Sequence, residues 1–253
     1  MKRWIILALL INMVTLVSHA QRVDPLIDSA NHAYSQENYD QAVNYYKQVL
    51  SKGIESAGLY YNLGNAYYKS HDIARAILNY ERALLRDPNN EDIQYNLELA
   101  RKQTTDRIEQ IPEFFLSRWA RHFVDLFSSN LWAVISIITF IGFLVLFSVY
   151  LYSNRLSLRK ISFWVAVLSL VVSVSSFVFS YQQKQDVANS KQAIVFAPKV
   201  TVRSSPSESG TELFVVHEGT KVSIVDNDIE GWYEVKLADG NKGWLRRKTV
   251  EPI

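Results

Sequence analysis

Two runs without a charged residue, Leu131 to Tyr152 and Ile161 to Tyr181, lie in mid-chain with eight residues between them. A helix that crosses a bilayer needs roughly 20 apolar residues at about 1.5 Å each, and each run supplies that length. The spacer Ser-Asn-Arg-Leu-Ser-Leu-Arg-Lys leaves room only for a tight return. The chain is therefore expected to form a membrane hairpin, with spans at 131–152 and 161–181 around a cytoplasmic loop at 153–160. Whatever precedes Leu131 and follows Tyr181 must then face one compartment. Neither run contains Asp, Glu, Lys, Arg or His, so neither has groups to carry ions or protons, and both read as anchors.

Two signals give the hairpin a direction. Lys2 and Arg3 precede a mostly apolar stretch from Trp4 to Val17, and Ser18-His19-Ala20 ends in small residues. Residues 1–20 read as a secretory signal peptide cleaved before Gln21, with an uncleaved anchor as the alternative. Arg155, Arg159 and Lys160, with no acid nearby, should hold the hairpin tip in the cytoplasm. Both readings put the N- and C-terminal parts on the exported side. The chain has no cysteine, which rules out disulfides and thiolate chemistry. Its net charge of +2 is spread along the sequence, and no segment is basic enough to suggest a nucleic-acid partner.

The exported N-terminal part repeats itself. Residues 57–90 carry Tyr60, Leu63, Gly64, Tyr67, Ala76, Tyr80, Ala83 and Pro88, a spacing that resembles the tetratricopeptide repeat. A weaker copy over 23–56 has Leu26, Ala30, Ala42, Tyr46 and Val49, and Tyr95-Asn96-Leu97 with Ala100 marks a capping helix at 91–106. Residues 21–108 are thus expected to form an all-α array, close to the smallest that buries a continuous core. The resemblance implies a helix-A face carrying Asn31, Tyr34, Tyr61, Asn62, Asn65, Tyr68 and Asn96. There asparagines could grip the backbone of an extended peptide, because an amide both donates and accepts. The competing reading makes them ordinary repeat residues with no ligand.

Between array and hairpin, residues 111–129 place Phe115, Trp119, Phe123, Leu126 and Phe127 at helical spacing. An amphipathic helix of this kind lies most naturally in the membrane interface; docking of a partner's membrane helix is the alternative.

From Ala193 onward, short alternating stretches punctuated by turn residues imply strands. The landmarks Val200-Thr201-Val202-Arg203-Ser204-x-Pro206, Gly219-x-x-Val222, Gly231-Trp232-x-x-Val235 and Asp239-Gly240-x-x-Gly243-Trp244-Leu245 resemble a bacterial SH3 domain over 190–253. That resemblance implies a small all-β barrel binding cell-wall peptides or protein partners, with Trp232, Tyr233 and Trp244 as candidates for stacking on a ligand. Packing of both tryptophans against the barrel is the alternative.

Nothing supports catalysis. The five histidines have no metal-ligand spacing, and there is no phosphate loop or nucleophile motif. His71 and His217 read as surface residues beside turns, and the acidic residues as members of solvated helix faces. No enzyme activity, cofactor or metal is expected. Signal, array, basic-tipped hairpin and SH3 domain, in that order, resemble the BatE family of the Bacteroides aerotolerance operon. The resemblance implies a two-pass protein of the bacterial inner membrane with both soluble domains in the periplasm. It also implies membrane partners with von Willebrand factor A domains, the exported protein BatD, and a cytoplasmic MoxR-type ATPase encoded nearby. The expected architecture is a multidomain membrane protein: a tetratricopeptide helical array, a two-helix transmembrane hairpin and an SH3-like small barrel. Its expected role is a scaffold for protein–protein contacts, or alternatively a tether to peptidoglycan.

Overall fold

The computed structural model describes residues 25–108 and 115–253. The signal-peptide assignment at 1–20 lies outside them, as does the start of the juxtamembrane segment at 111–114. The chain divides into two compact units, Met1–Ile54 and Glu55–Ile253.

In the first unit α1 (Pro25–Ser35) and α2 (Tyr39–Ser51) form a helix pair around Ala30, Ala33, Ala42, Tyr46 and Val49. The second unit opens with the equivalent pair, α3 (Ala57–Lys69) and α4 (Ile73–Arg86), followed by α5 (Glu91–Arg101). The 34-residue period reappears in backbone detail. Glu37 and His71, one period apart, both turn the chain with positive φ, at 59° and 64°. Asn38 and Asp72, again one period apart, cap α2 and α4 by accepting from the backbone N–H three residues on, and Ser56 and Asn90 do the same for α3 and α5. Gly64 lets α3 and α4 approach, since a Cβ there would stand 2.7 Å from the Tyr80 ring.

A short amphipathic helix, α6 (Phe115–Asp125), leads into the hairpin, α7 (Ser129–Tyr152) and α8 (Leu156–Ala188). Both hairpin helices are long and apolar enough to cross a membrane. Their contact line is made of small residues. Ser136 Oγ donates to the Ser173 carbonyl and Ser173 Oγ to the Ser136 carbonyl, both at 2.9 Å, while Ser169 Oγ donates to the Thr139 carbonyl at 2.7 Å. Close packing with interhelical hydroxyl bonds is how helices associate where water supplies no hydrophobic drive.

The hairpin differs from expectation at both of its ends. Only Ser153, Asn154 and Arg155 separate the helices, so Arg159 and Lys160 lie in the first turns of α8 rather than in a loop. Leu156 to Lys160 holds no Gly or Pro to delay the helix, and long basic side chains can reach water from inside it. At the other end α8 runs past Tyr181 to Ala188, because Gln182 to Ala188 are also free of helix breakers.

The C-terminal part is one antiparallel seven-stranded sheet, ordered β3-β2-β6-β5-β4-β1-β7. The strands are β1 (Gln192–Val195), β2 (Lys199–Arg203), β3 (Glu212–His217), β4 (Lys221–Asp226), β5 (Trp232–Lys236), β6 (Lys242–Arg246) and β7 (Val250–Pro252). Ala193, Val202, Val216, Val222, Val235, Leu245 and Val250 meet in a single apolar cluster. Since every strand contributes to that cluster, the sheet curls around it. Sequence alternation does not reveal β7, which is three residues long and ends on a proline, at the edge of the sheet. The architecture is therefore the expected one: a helical array, two apolar helices and an SH3-like sheet.

Candidate functional site

Two asparagines of the helix-A face, Asn31 and Asn65, tie the helix pairs together. In the first unit Tyr46 donates its hydroxyl to Asn31 Oδ1 at 2.7 Å; in the second, Tyr80 donates to Asn65 Oδ1 at 2.8 Å. Each pair spans 15 residues and the two lie one period apart. The tyrosines are buried, so the amide is what satisfies a hydroxyl that would otherwise be costly to bury. Burial, then the nearby Tyr34, pushes the Tyr46 hydroxyl up to about 12, which keeps it a donor at any physiological pH. Tyr34 itself packs edge-on against Tyr39, with ring centres 5.3 Å apart.

In the second unit these contacts extend into a network. Asn96 Nδ2 donates to the Tyr61 hydroxyl at 3.0 Å and to Asn65 Oδ1 at 2.9 Å, and Gln103 Nε2 donates to the Tyr68 hydroxyl at 2.6 Å. Four of the five sequence-selected positions here, Tyr61, Asn65, Tyr68 and Asn96, thus bridge α3 to α5 or to the turn that follows it. Asn62, beside them and half-buried, has no side-chain hydrogen bond among the described residues. The ties at Asn31 and Asn65 were findable: Asn-to-Tyr at 15 residues recurs with the period.

On the sheet, Trp232 is 5 % exposed and the Arg246 guanidinium covers its ring at 4.3 Å. Arg246 is held there by Glu208, 2.7 Å away. Trp232 therefore packs into the barrel, the alternative foreseen for it, and is not free to stack on a ligand. Tyr233 and Trp244 are only partly buried, with Arg247 4.6 Å from the centre of the Tyr233 ring. Arg155, Arg159 and Lys160 are all exposed at the hairpin tip, and Arg159 lies 5.5 Å from the Tyr150 ring.

Sequence reasoning missed a polar seam that joins the repeat helices to the barrel within the second unit. Asp106, after α5, accepts from the His217 backbone N–H at 2.6 Å and from Thr220 Oγ1 at 2.6 Å, and its other oxygen lies 2.7 Å from His217 Nδ1. Burial pushes its carboxyl up, but the hydrogen bonds from Thr220 and His217 outweigh that and hold it below the usual carboxylate range. Glu81 of α4, with a side chain only 7 % exposed, accepts from Lys221 Nζ at 2.7 Å and also from Arg101. Arg82 donates to the Pro252 carbonyl at 2.7 Å and to Glu251 at 3.2 Å. Gly219, with φ at 84°, presses its backbone onto the helices: a Cβ there would come within 2.6 Å of Thr104 and 3.2 Å of Ile77.

Two expectations are corrected by this seam. Glu81 is not on a solvated face, because two cations from different modules compensate its burial. His217 is not a bare surface residue, because the chain brings Asp106 to it across 111 positions.

Family models match two stretches of the chain: the tetratricopeptide repeat at 57–90 and the bacterial SH3 domain at 198–251. No curated protein matches it.

Proposed function

We propose that this chain is a non-enzymatic, membrane-anchored adaptor that gathers protein partners on the exported face of a bacterial inner membrane. The observation that carries the reading is the polar seam: two modules of interaction-type families are locked together beside a hairpin whose two apolar runs carry no charge. An anchor with one such composite body attached raises the local concentration of one module's ligand around the other. Contact with an extended peptide at Asn62 is supported by its half-buried side chain, which makes no hydrogen bond among the described residues next to the Tyr61–Asn65–Asn96 network. The signal-like N-terminus and the basic tip support a periplasmic location. The module order supports membership of a BatE-type complex, with von Willebrand factor A-domain proteins and BatD as the partner classes. Crosslinking in intact cells, followed by purification from membranes, tests this. Partner recovery should fall with Asn62→Asp, and recovery of no envelope protein at all would sink the adaptor reading.

A peptidoglycan tether is the second reading, favoured by the SH3 match and by the partly exposed rings of Tyr233 and Trp244. Detergent-solubilised full chain incubated with purified sacculi separates the two. Retention that is lost with Trp244→Ala supports the tether, and absence of retention removes it.

A further inference from the structure

Where α4, α6, the end of α8 and the adjoining barrel strands meet, they surround a cavity of about 1150 Å³. Its wall changes character over about two turns of α8. Phe179 lines it together with Phe123 and Trp119 of α6. Phe123 and Phe179 touch each other edge-to-face, with ring centres 5.9 Å apart, and both touch Trp132 of the hairpin. Through Trp132 that aromatic floor joins the apolar hairpin, where Phe177 and Val178 of α8 are exposed. About two turns further along, Asp186 lines the same cavity, opposite Arg121 and Asp125 of α6, and Lys191 stands just before the first strand.

The charges are mixed, not of one sign. Burial, together with repulsion from Asp186 and against attraction from Arg121, lifts the Asp125 carboxyl above its usual range, so a cation entering here would relieve both acids. Of the other charged residues in the wall, Lys221 and Glu81 already bond to each other. Tight ties hold the site in place: Gln183 Nε2 donates to the Val124 and Phe127 carbonyls at 2.8 and 2.9 Å, and Trp132 Nε1 to the Val124 carbonyl at 2.8 Å. These bonds fix α6 across the end of the hairpin.

We propose that this cavity binds a single phospholipid with a primary-amine headgroup. Asp125 and Asp186 take the ammonium, Lys191 takes the phosphate, and the upper acyl chain lies against Trp119, Phe123 and Phe179. A peptide would not need an aromatic floor joined to the apolar hairpin, and an anionic lipid would meet two carboxylates. The amine has three N–H donors, which a quaternary choline lacks, so the site discriminates by hydrogen bonding as well as by charge.

This inference rests on the reading of α7 and α8 as membrane spans, and its test keeps the two apart. The full chain, purified in detergent and stripped of lipid, is titrated with phosphatidylethanolamine, phosphatidylcholine and phosphatidylglycerol, with binding read by native mass spectrometry. Phosphatidylethanolamine should bind about tenfold tighter than phosphatidylcholine, the worth of roughly one charge-assisted hydrogen bond. Asp186→Asn, at an exposed position that does not threaten folding, should abolish that preference. Lys191→Gln should weaken all three lipids. Equal binding of the two zwitterionic lipids, or a preference that survives Asp186→Asn, overturns the site. Carbonate extraction of membranes is run alongside. A chain that stays membrane-bound but shows no preference refutes the lipid site alone, whereas a released chain refutes the spans as well.

Discussion

The seam inside the hairpin and the seam between the repeat helices and the barrel join helix to neighbour by opposite chemistry. In the hairpin, contact comes from serine hydroxyls exchanged with backbone carbonyls, and any helix with a stripe of small residues could do the same. Between repeat and barrel, contact comes from Glu81 between two cations and from Asp106 beneath His217 and Thr220. A buried carboxylate tolerates only partners that compensate its lost hydration. The first seam therefore suits an anchor that has only to stay closed, while the second fixes one particular docking of one module on another.

If that contrast is right, substitutions in the polar seam should cost far more than those in the hairpin. Gly219→Ala carries the largest effect, about 2–4 kcal/mol, because the new methyl meets Thr104 and Ile77 while the backbone keeps a left-handed φ. Thermal unfolding of the purified full chain should show it, and hydrogen exchange at 102–108 should rise with it. Glu81→Gln should cost about 2 kcal/mol, less than a fully buried pair, since Arg101 and Lys221 keep partial access to water. A loss below the error of the measurement would mean that the seam orders nothing.

Asp106→Asn is expected to cost about 1–2 kcal/mol at neutral pH. It also carries a pH signature. The folded-state pKa of Asp106 is depressed, so its contribution is complete above the unfolded value near 3.8 and fades as pH falls through the lower folded value. The wild-type chain should lose stability below about pH 4 more steeply than the variant, and parallel curves would contradict the assignment. Smallest of all, Ser173→Ala should cost about 0.6 kcal/mol in a membrane-mimetic unfolding assay, because hydroxyl bonds between apolar helices are individually weak. A larger loss there than at Glu81 would invert the comparison.

The same contrast separates what the sequence spells out locally from what only the fold brings together. Hairpin, repeats and strands are written in local patterns: charge-free runs, a 34-residue period, alternation between turn residues. Even the two capping pairs, Asn38 with Asp72 and Ser56 with Asn90, follow the period. The seam is not local. Asp106 meets His217 from 111 positions away and Glu81 meets Lys221 from 140, and no spacing rule links such residues. Composition misleads at Glu81, which looks like any acidic residue on an amphipathic helix. At Trp232 the sequence shows an aromatic after a glycine, but only the fold shows that Arg246 covers it.

The adaptor account stands on both modules facing one compartment while the hairpin tip faces the other. Because the chain has no native cysteine, single substitutions at the exposed positions Lys69→Cys, Asn154→Cys and Ser207→Cys give an unambiguous readout with a membrane-impermeant maleimide on intact spheroplasts. The account predicts labelling at positions 69 and 207 alike, with position 154 reacting only after lysis. Labelling at 154 in intact spheroplasts, or a difference between 69 and 207, would contradict it.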